Sequence, residues 1–439
     1  MMKYLGQAPQ LVRRARLTFL LIGVAAFAGC TSDPVTKATD RYTCDPDNGG
    51  LTLPEGFCAY VIIDSLGYAR HMTVDEEGDV YVAMRARGED PGGVAALRDT
   101  TGNGRIDVVE RFGNYQGTGI ELHEGYLYFG ARDAILRFPL EPGELSPAAA
   151  AEMLVTGFPE QRTHAAKPFA FDNAGNLYVN VGAPSNVCRE AGDSKMGIDP
   201  CPQLEQQAAI WRFSAVRSNQ DFAADGYKYA TGIRNALGLV WNHNTSALYA
   251  TQHGRDMLYT LWGEYYTEAQ SADLPAEEFF KVREGGNLGW PYCYYDQFLE
   301  KRIRAPEYGG DGQSEEGCTT YDSPLVTFPG HYGPNDLILV QGEHFPARYA
   351  GGALVAFHGS WNRRDARGQQ GYQVAFIPAD GDAFSTETEV FAAGFKGNAI
   401  IKSPGDAAHR PTGLAQGPDG SLYISDSVKG KIWRVLYRD

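Results

Sequence analysis

Side chains able to do chemistry gather in four stretches of the second half of this chain: Thr231–Asp256, Gly285–Tyr294, Phe357–Arg363 and Arg410–Val435. Each joins a turn-strand-turn pattern to a cluster of Arg, Asn, His and Gly that a buried core would not require. The guanidinium of Arg234 presents five donors in one plane, which suits planar, carboxylated oxygen ligands. His164 stands in Arg162-Thr163-His164-Ala165-Ala166-Lys167, just before a strand that opens at Pro168. An imidazole near its ordinary pKa accepts a hydroxyl proton at neutral pH. Taken one at a time, these residues also fit a surface Arg, a turn Asn and a loop His.

Charge narrows the options. The 439 residues carry 54 acidic and 39 basic side chains, a formal net charge of −15. Residues 1–29 hold Lys3, Arg13, Arg14 and Arg16 and no acid, so their removal leaves −19. A chain this acidic is a poor binder of nucleic acid or anionic membrane, and its cations must act locally.

The elements that would position these residues come from one recurring pattern. An acidic or Asn turn and a Gly lead into an alternating apolar strand containing Leu-Tyr or Val-Tyr. It recurs at Val74–Ala83, His123–Gly130, Phe171–Val181, Trp241–Thr251 and Gly417–Asp426, with a weaker copy at Gly351–Phe357. Asp/Asn-Gly pairs favour tight hairpins, and period-2 alternation buries one strand face. Six copies at about 65 residues each predict an all-β, six-bladed β-propeller over residues 51–439. Phe57–Ile63 is expected beside Lys431–Tyr437, closing the ring. Only 142–152 and 273–283 read as short helices.

Residues 1–29 read as a signal peptide: a basic start, then an apolar run too short to span a bilayer comfortably. Phe27-Ala28-Gly29-Cys30 resembles a bacterial lipoprotein cleavage site, making Cys30 a lipidation candidate and 30–50 an anchor and tether. Thr31 replaces the Asp that retains lipoproteins at the inner membrane, so the expected location is the periplasmic face of the outer membrane. Cys44, Cys58, Cys188, Cys201, Cys293 and Cys318 form three sequential pairs, and an even set in an exported chain reads as disulfides. There is no CxxC spacing for zinc and no CxxCH for covalent haem.

Together, GIRNALGLVW around Arg234, GGNLGWPYCY, FHGSWNR and the final stretch resemble the glucose/sorbosone dehydrogenase family, closer to its sorbosone and pyranose branch. These propellers use pyrroloquinoline quinone (PQQ) and calcium. The resemblance implies that Arg234, Asn235 and Arg410 bind the quinone, with Gln116, Trp361 and Arg363 as further cofactor contacts. It implies calcium on the backbone carbonyls of Gly254 and Arg255, and His164 as the base. His331 and Tyr332 fall on a rim loop facing substrate, with Trp290, Tyr292 and Trp361 as stacking candidates. Three departures stand out: Arg255 for a Pro, Ala183 for an acidic residue, and Thr412 near the place of a second Arg. Ala183 argues against a glucose-type site, Arg255 bears on the second calcium ligand, and Thr412 leaves one charge contact missing, for which Trp361-Asn362-Arg363 is the expected replacement.

The implied activity is oxidation of a sugar, sugar aldehyde or related polyol, with electrons passing to a separate cytochrome or quinone. Two other functions fit a propeller: a calcium-dependent lactonase and a non-catalytic binding platform. Asp99–Glu110 has EF-hand-like offsets but reads first as an Asn-Gly hairpin.

Overall fold

In four of its six copies the inner hairpin turns on the same local chemistry. Asp75 Oδ1 accepts the N–H groups of Glu77 and Asp79 at 3.1 and 2.8 Å, and Asp172 Oδ1 those of Ala174 and Asn176 at 2.8 Å each. Asn242 holds the N–H groups of Asn244 and Thr245, and Asp419 that of Ser421. Short polar side chains thereby take up the turn's free backbone donors. The computed structural model describes residues 41–438 apart from 193, 343 and 399. Residues 1–29, expected to be a signal peptide, and Cys30 lie outside the described residues.

Each hairpin joins the innermost strand of a blade to the second. Blade 1 consists of Ala69–Val74, Val80–Met84, Gly93–Arg98 and Val108–Phe112. Blade 2 has Gly117–His123, Tyr126–Ala131, Ile135–Pro139 and Glu152–Thr156, with Gln220–Asp221 added at its edge. Blade 3 has Phe169–Phe171, Asn176–Val181, Ala209–Ser214 and Tyr227–Thr231, extended by Gly286–Asn287. Blade 4 has Ala236–Asn242, Ala247–Gln252, Glu277–Val282 and Val326–Phe328. Blade 5 has Pro334–Leu339, Ala353–His358, Tyr372–Ile377 and Glu389–Ala392. Blade 6 takes Pro411–Gln416, Leu422–Asp426 and Ile432–Tyr437 from the end of the chain.

Its fourth strand is Phe57–Ile63, antiparallel to the last one, with Phe57 opposite Tyr437 and Ala59 opposite Val435. The innermost strands of successive blades pack side by side, and that of blade 6 returns to blade 1. The ring is a closed six-bladed propeller, as the repeat count predicts.

Apolar clusters fill the seams between blades. At the closure, the Phe57 ring meets Phe345, Tyr349, Phe391 and Tyr437 edge-on at 4.8–5.2 Å. Such pairs add about 0.5–1.5 kcal/mol each beyond area burial. The last part of the stretch read as a tether is docked here. Trp433 Nε1 donates to Gly49 O at 3.0 Å, and Ala59 N to Asn48 Oδ1 at 3.0 Å. All three expected disulfides form, Cys44–Cys58, Cys188–Cys201 and Cys293–Cys318.

The helix expectations fail. Residues 142–151 form turns, because an isolated Ala run after Pro147 is too short to sustain a helix. Glu277–Val282 is the third strand of blade 4; the short helix there, Glu268–Asp273, ends before Pro275. Asp99–Glu110 spans the turn between two strands of blade 1. Asp99 Oδ1 accepts the N–H groups of Thr101, Gly102 and Asn103, and its Oδ2 that of Gly104.

Candidate active site

The innermost strands all open at one end of the channel, where the second strands finish. Arg70, His164, Arg234, His331 and Arg410 stand at the openings of blades 1, 3, 4, 5 and 6. Arg85, His253 and His358 stand where second strands end. Residues spread over the whole chain thus meet at one mouth.

His164 is held in the left-handed region at φ 52°. Its Nδ1 lies 2.7 Å from Ala183 O. A carbonyl only accepts, so Nδ1 carries the proton and Nε2 is left as the acceptor. Burial and the neighbouring Arg234 cation push the imidazole down to about 3, so it does not sit in the ordinary histidine range expected from the sequence.

Arg234 is buried and braced. Nη2 donates to Asn186 Oδ1 and Asp256 Oδ2, both at 3.0 Å, and Nε to Asn186 O at 3.3 Å. Asp256 also accepts Asn362 Nδ2 at 2.6 Å and has His331 Nδ1 at 3.3 Å. These donors and cations hold its carboxyl well below the usual range, against the effect of burial. His331 Nε2 donates to Ser271 O at 2.8 Å, and Asp256 pulls its pKa up despite burial.

Glu277 lies beneath this pair. Its Oε2 accepts Gly254 N–H at 2.9 Å and its Oε1 accepts Gly333 N–H at 3.3 Å, tying the two loops together. Burial raises this carboxyl to about 7. Arg255 turns its side chain inward, where Nη1 meets Glu307 Oε2 at 2.5 Å. The carbonyl oxygens of Gly254 and Arg255 accept no hydrogen bond among the described residues. Backbone carbonyls left without donors are hard-oxygen ligands of the kind calcium accepts.

The opposite side of the mouth is cationic. Arg410 Nε donates to His358 O and its Nη2 to Gly359 O, both at 2.9 Å. Arg70 and Arg85 face it, and neither guanidinium has a hydrogen bond or ion pair among the described residues. Burial and these two neighbours bring Arg70 down to about 10. His358 is pushed well below its ordinary value by burial, Arg410, Arg70, His253 and Arg85. Unpaired cations in so acidic a chain fit a multiply charged anion such as a tricarboxylate.

Other expected residues have different positions. Arg363 is buried with its guanidinium on Gly330 O and Asp273 Oδ1, at 3.1 and 2.7 Å, and braces the rim loop; the cations expected of it are Arg70 and Arg85. Trp290 packs against the Cys188–Cys201 bridge and Ala183, with its Nε1 on Asn186 O at 2.9 Å. Tyr332 leans edge-on against Phe357. Gln116 holds Arg132, and the Asn235 amide meets Asn180. Trp361 lies outside the cationic cluster in a side depression. The sequence reading missed Arg70, although it opens the first inner strand as Arg410 opens the last.

A six-bladed propeller with arginines and histidines gathered at one channel mouth defines the class of this protein. The chain belongs to the TrAA12-like family, whose description matches residues 51–438. An uncharacterized protein of Borreliella burgdorferi is 21% identical over 400 residues, covering 88% of this chain and 91% of that protein. A pyrroloquinoline quinone-dependent pyranose dehydrogenase of Coprinopsis cinerea is 21% identical over 467 residues, covering 94% of this chain but 56% of that longer protein. The holo form of the pyranose dehydrogenase PQQ domain from Coprinopsis cinerea superposes with a TM-score of 0.70 at 18% identity, covering 90% of this chain and 98% of that domain.

Proposed function

We propose that this chain is a PQQ- and calcium-dependent dehydrogenase that oxidises a sugar, a sugar aldehyde or a related polyol. One observation carries the reading: His164, with Nε2 left as an acceptor, stands at the same channel mouth as Arg70 and Arg85, whose guanidinium groups have no hydrogen bond or ion pair among the described residues. Arg70, Arg85, Arg234 and Arg410 would hold the cofactor's carboxylates and quinone oxygens, and the Gly254 and Arg255 carbonyls the calcium. Bound there, the quinone supplies a two-electron sink and calcium a Lewis acid.

The chain's own residues do the rest. His164 Nε2 takes the proton of the substrate hydroxyl, and Ala183 O keeps the ring in the correct tautomer. Asp256 bridges Arg234 and His331, and Glu277 ties the loop that carries Asp256 to the one that carries His331. A separate cytochrome or quinone takes the electrons, and Cys30 anchors the chain to the periplasmic face of the outer membrane. A lactonase would hold its metal with acidic and amide side chains, whereas here the Asp256 carboxylate is engaged by Arg234, His331 and Asn362 and the opposite side of the mouth carries Arg.

The test is to load apo-protein with PQQ and calcium and screen sugars with a dye acceptor. Dye reduction supports the reading. Tight PQQ binding with no sugar oxidised would leave a binding platform.

A further inference from the structure

Beside the His331–Asn362 wall of the pocket lies a second depression, lined by Met257, Tyr259, Glu268, His331, Trp361 and Arg364. Three large apolar side chains stand open around it: Trp361 is 60% exposed, Tyr259 39% and Met257 38%. Met257 is held at φ 69°, a conformation that a side chain of this size rarely adopts. Glu268 and Arg364 are exposed, and neither has a hydrogen bond or ion pair among the described residues. The depression is continuous with the proposed active site, because Asn362, next to the indole, donates to Asp256.

A flat exposed indole flanked by one free carboxylate and one free guanidinium has the chemistry that recognises a pyranose ring. The ring's C–H face stacks on the aromatic surface, while planar charged groups bond its hydroxyls. A free hexose oxidised at His164 would leave this surface uncovered. One positive and one negative group give no net charge to steer a strongly charged partner.

Resting on the dehydrogenase reading above, we propose that this depression binds a second saccharide unit adjoining the one that is oxidised. The substrates are then glycosides or oligosaccharides. Trp361 is the stacking face, Tyr259 and Met257 close the apolar edge, and Glu268 and Arg364 bond hydroxyls.

The test is calorimetric titration of the full chain, in apo and in PQQ- and calcium-loaded form, with a panel of monosaccharides and matched disaccharides. At least one disaccharide should bind roughly tenfold tighter than its monosaccharide, the value of one good stacking contact with its hydrogen bonds. Trp361→Ala and, separately, Arg364→Ala should bring that ratio toward one, and Trp361→Phe should restore part of it. No disaccharide preference in the wild type overturns the proposal. So does a Trp361→Ala variant that weakens monosaccharide and disaccharide equally, or one that loses PQQ affinity. Titration of the apo chain keeps this outcome separate from the dye assay: sugar can bind here even if none is oxidised.

Discussion

His164 Nδ1 donates to the carbonyl oxygen of Ala183 at 2.7 Å, and the N–H of the same Ala183 donates to Arg234 O at 2.7 Å. One residue therefore orients the His164 imidazole and ties it to the strand opening that carries Arg234. Where the resemblance leads one to expect an acidic side chain at position 183, a backbone carbonyl accepts the imidazole N–H. A Cβ on the preceding Gly182 would stand 2.7 Å from both His164 Cβ and Asn235 Oδ1, so this close approach requires glycine.

Replacing His164 by Asn should lower turnover of the loaded enzyme by about 10²–10⁴, the usual share of a general base. PQQ affinity should change little. Steady-state kinetics with parallel PQQ titration checks this, and normal turnover would move the base elsewhere.

Protonation of His164 should occur only in strong acid. Its pKa in the fold is about 3, against 6.5 for the free side chain, so the fold opposes the charged form. The stability tied to the neutral ring is complete above about pH 6.5 and is lost as pH falls toward 3. In apo-protein NMR, its imidazole shifts should stay flat from pH 5 to 8. A midpoint near 6.5 would contradict the burial.

Arg70→Ala should weaken PQQ binding without harming the fold. A charged hydrogen bond contributes roughly 1.5–3 kcal/mol, about 10- to 150-fold in affinity. Because the Arg70 guanidinium has no hydrogen bond or ion pair among the described residues, and the favourable charge of Asp336 is offset by Arg85 and Arg410, its removal should change thermal stability little. Unchanged PQQ affinity in both Arg70→Ala and Arg85→Ala would remove these residues from the site.

At the other end of the channel, Glu121 lies in a cavity with His71 and Asp336. Burial and the Asp336 charge raise it to about 8. Between pH 4.5 and 8 the fold keeps a proton that the unfolded chain has released, so stability falls as pH rises through that range. Glu121→Gln should therefore gain at least about 1 kcal/mol at pH 8, and nothing at pH 4. Chemical denaturation at the two pH values measures the difference.

Replacing both Cys188 and Cys201 by Ser should cost roughly 3 kcal/mol in the chain-entropy view of a loop this short. The bridge packs on Trp290, whose indole shares Asn186 O with Arg234, so PQQ affinity should fall too. Urea unfolding and PQQ titration of the double variant check both effects.

The blades were legible because turn chemistry and alternation are written in consecutive residues. Asp75, Asp172 and Asp419 each bond donors two positions away or nearer the next strand, so a local pattern is enough to count hairpins. The pairing of Phe57 with Tyr437 followed from the same count. His164, Arg234 and Arg410 were legible by resemblance, each at the opening of an inner strand. Side-chain destinations were not. Arg363 and Arg70 are both arginines beside motif-bearing strands, yet one is ion-paired with Asp273 and the other faces Arg85 and Arg410 with no ion pair among the described residues. Which of them carries free charge depends on what the closed ring brings against it from distant parts of the chain. Electrostatic energy is set by distance and burial in three dimensions, and neither is a property of neighbouring residues in sequence.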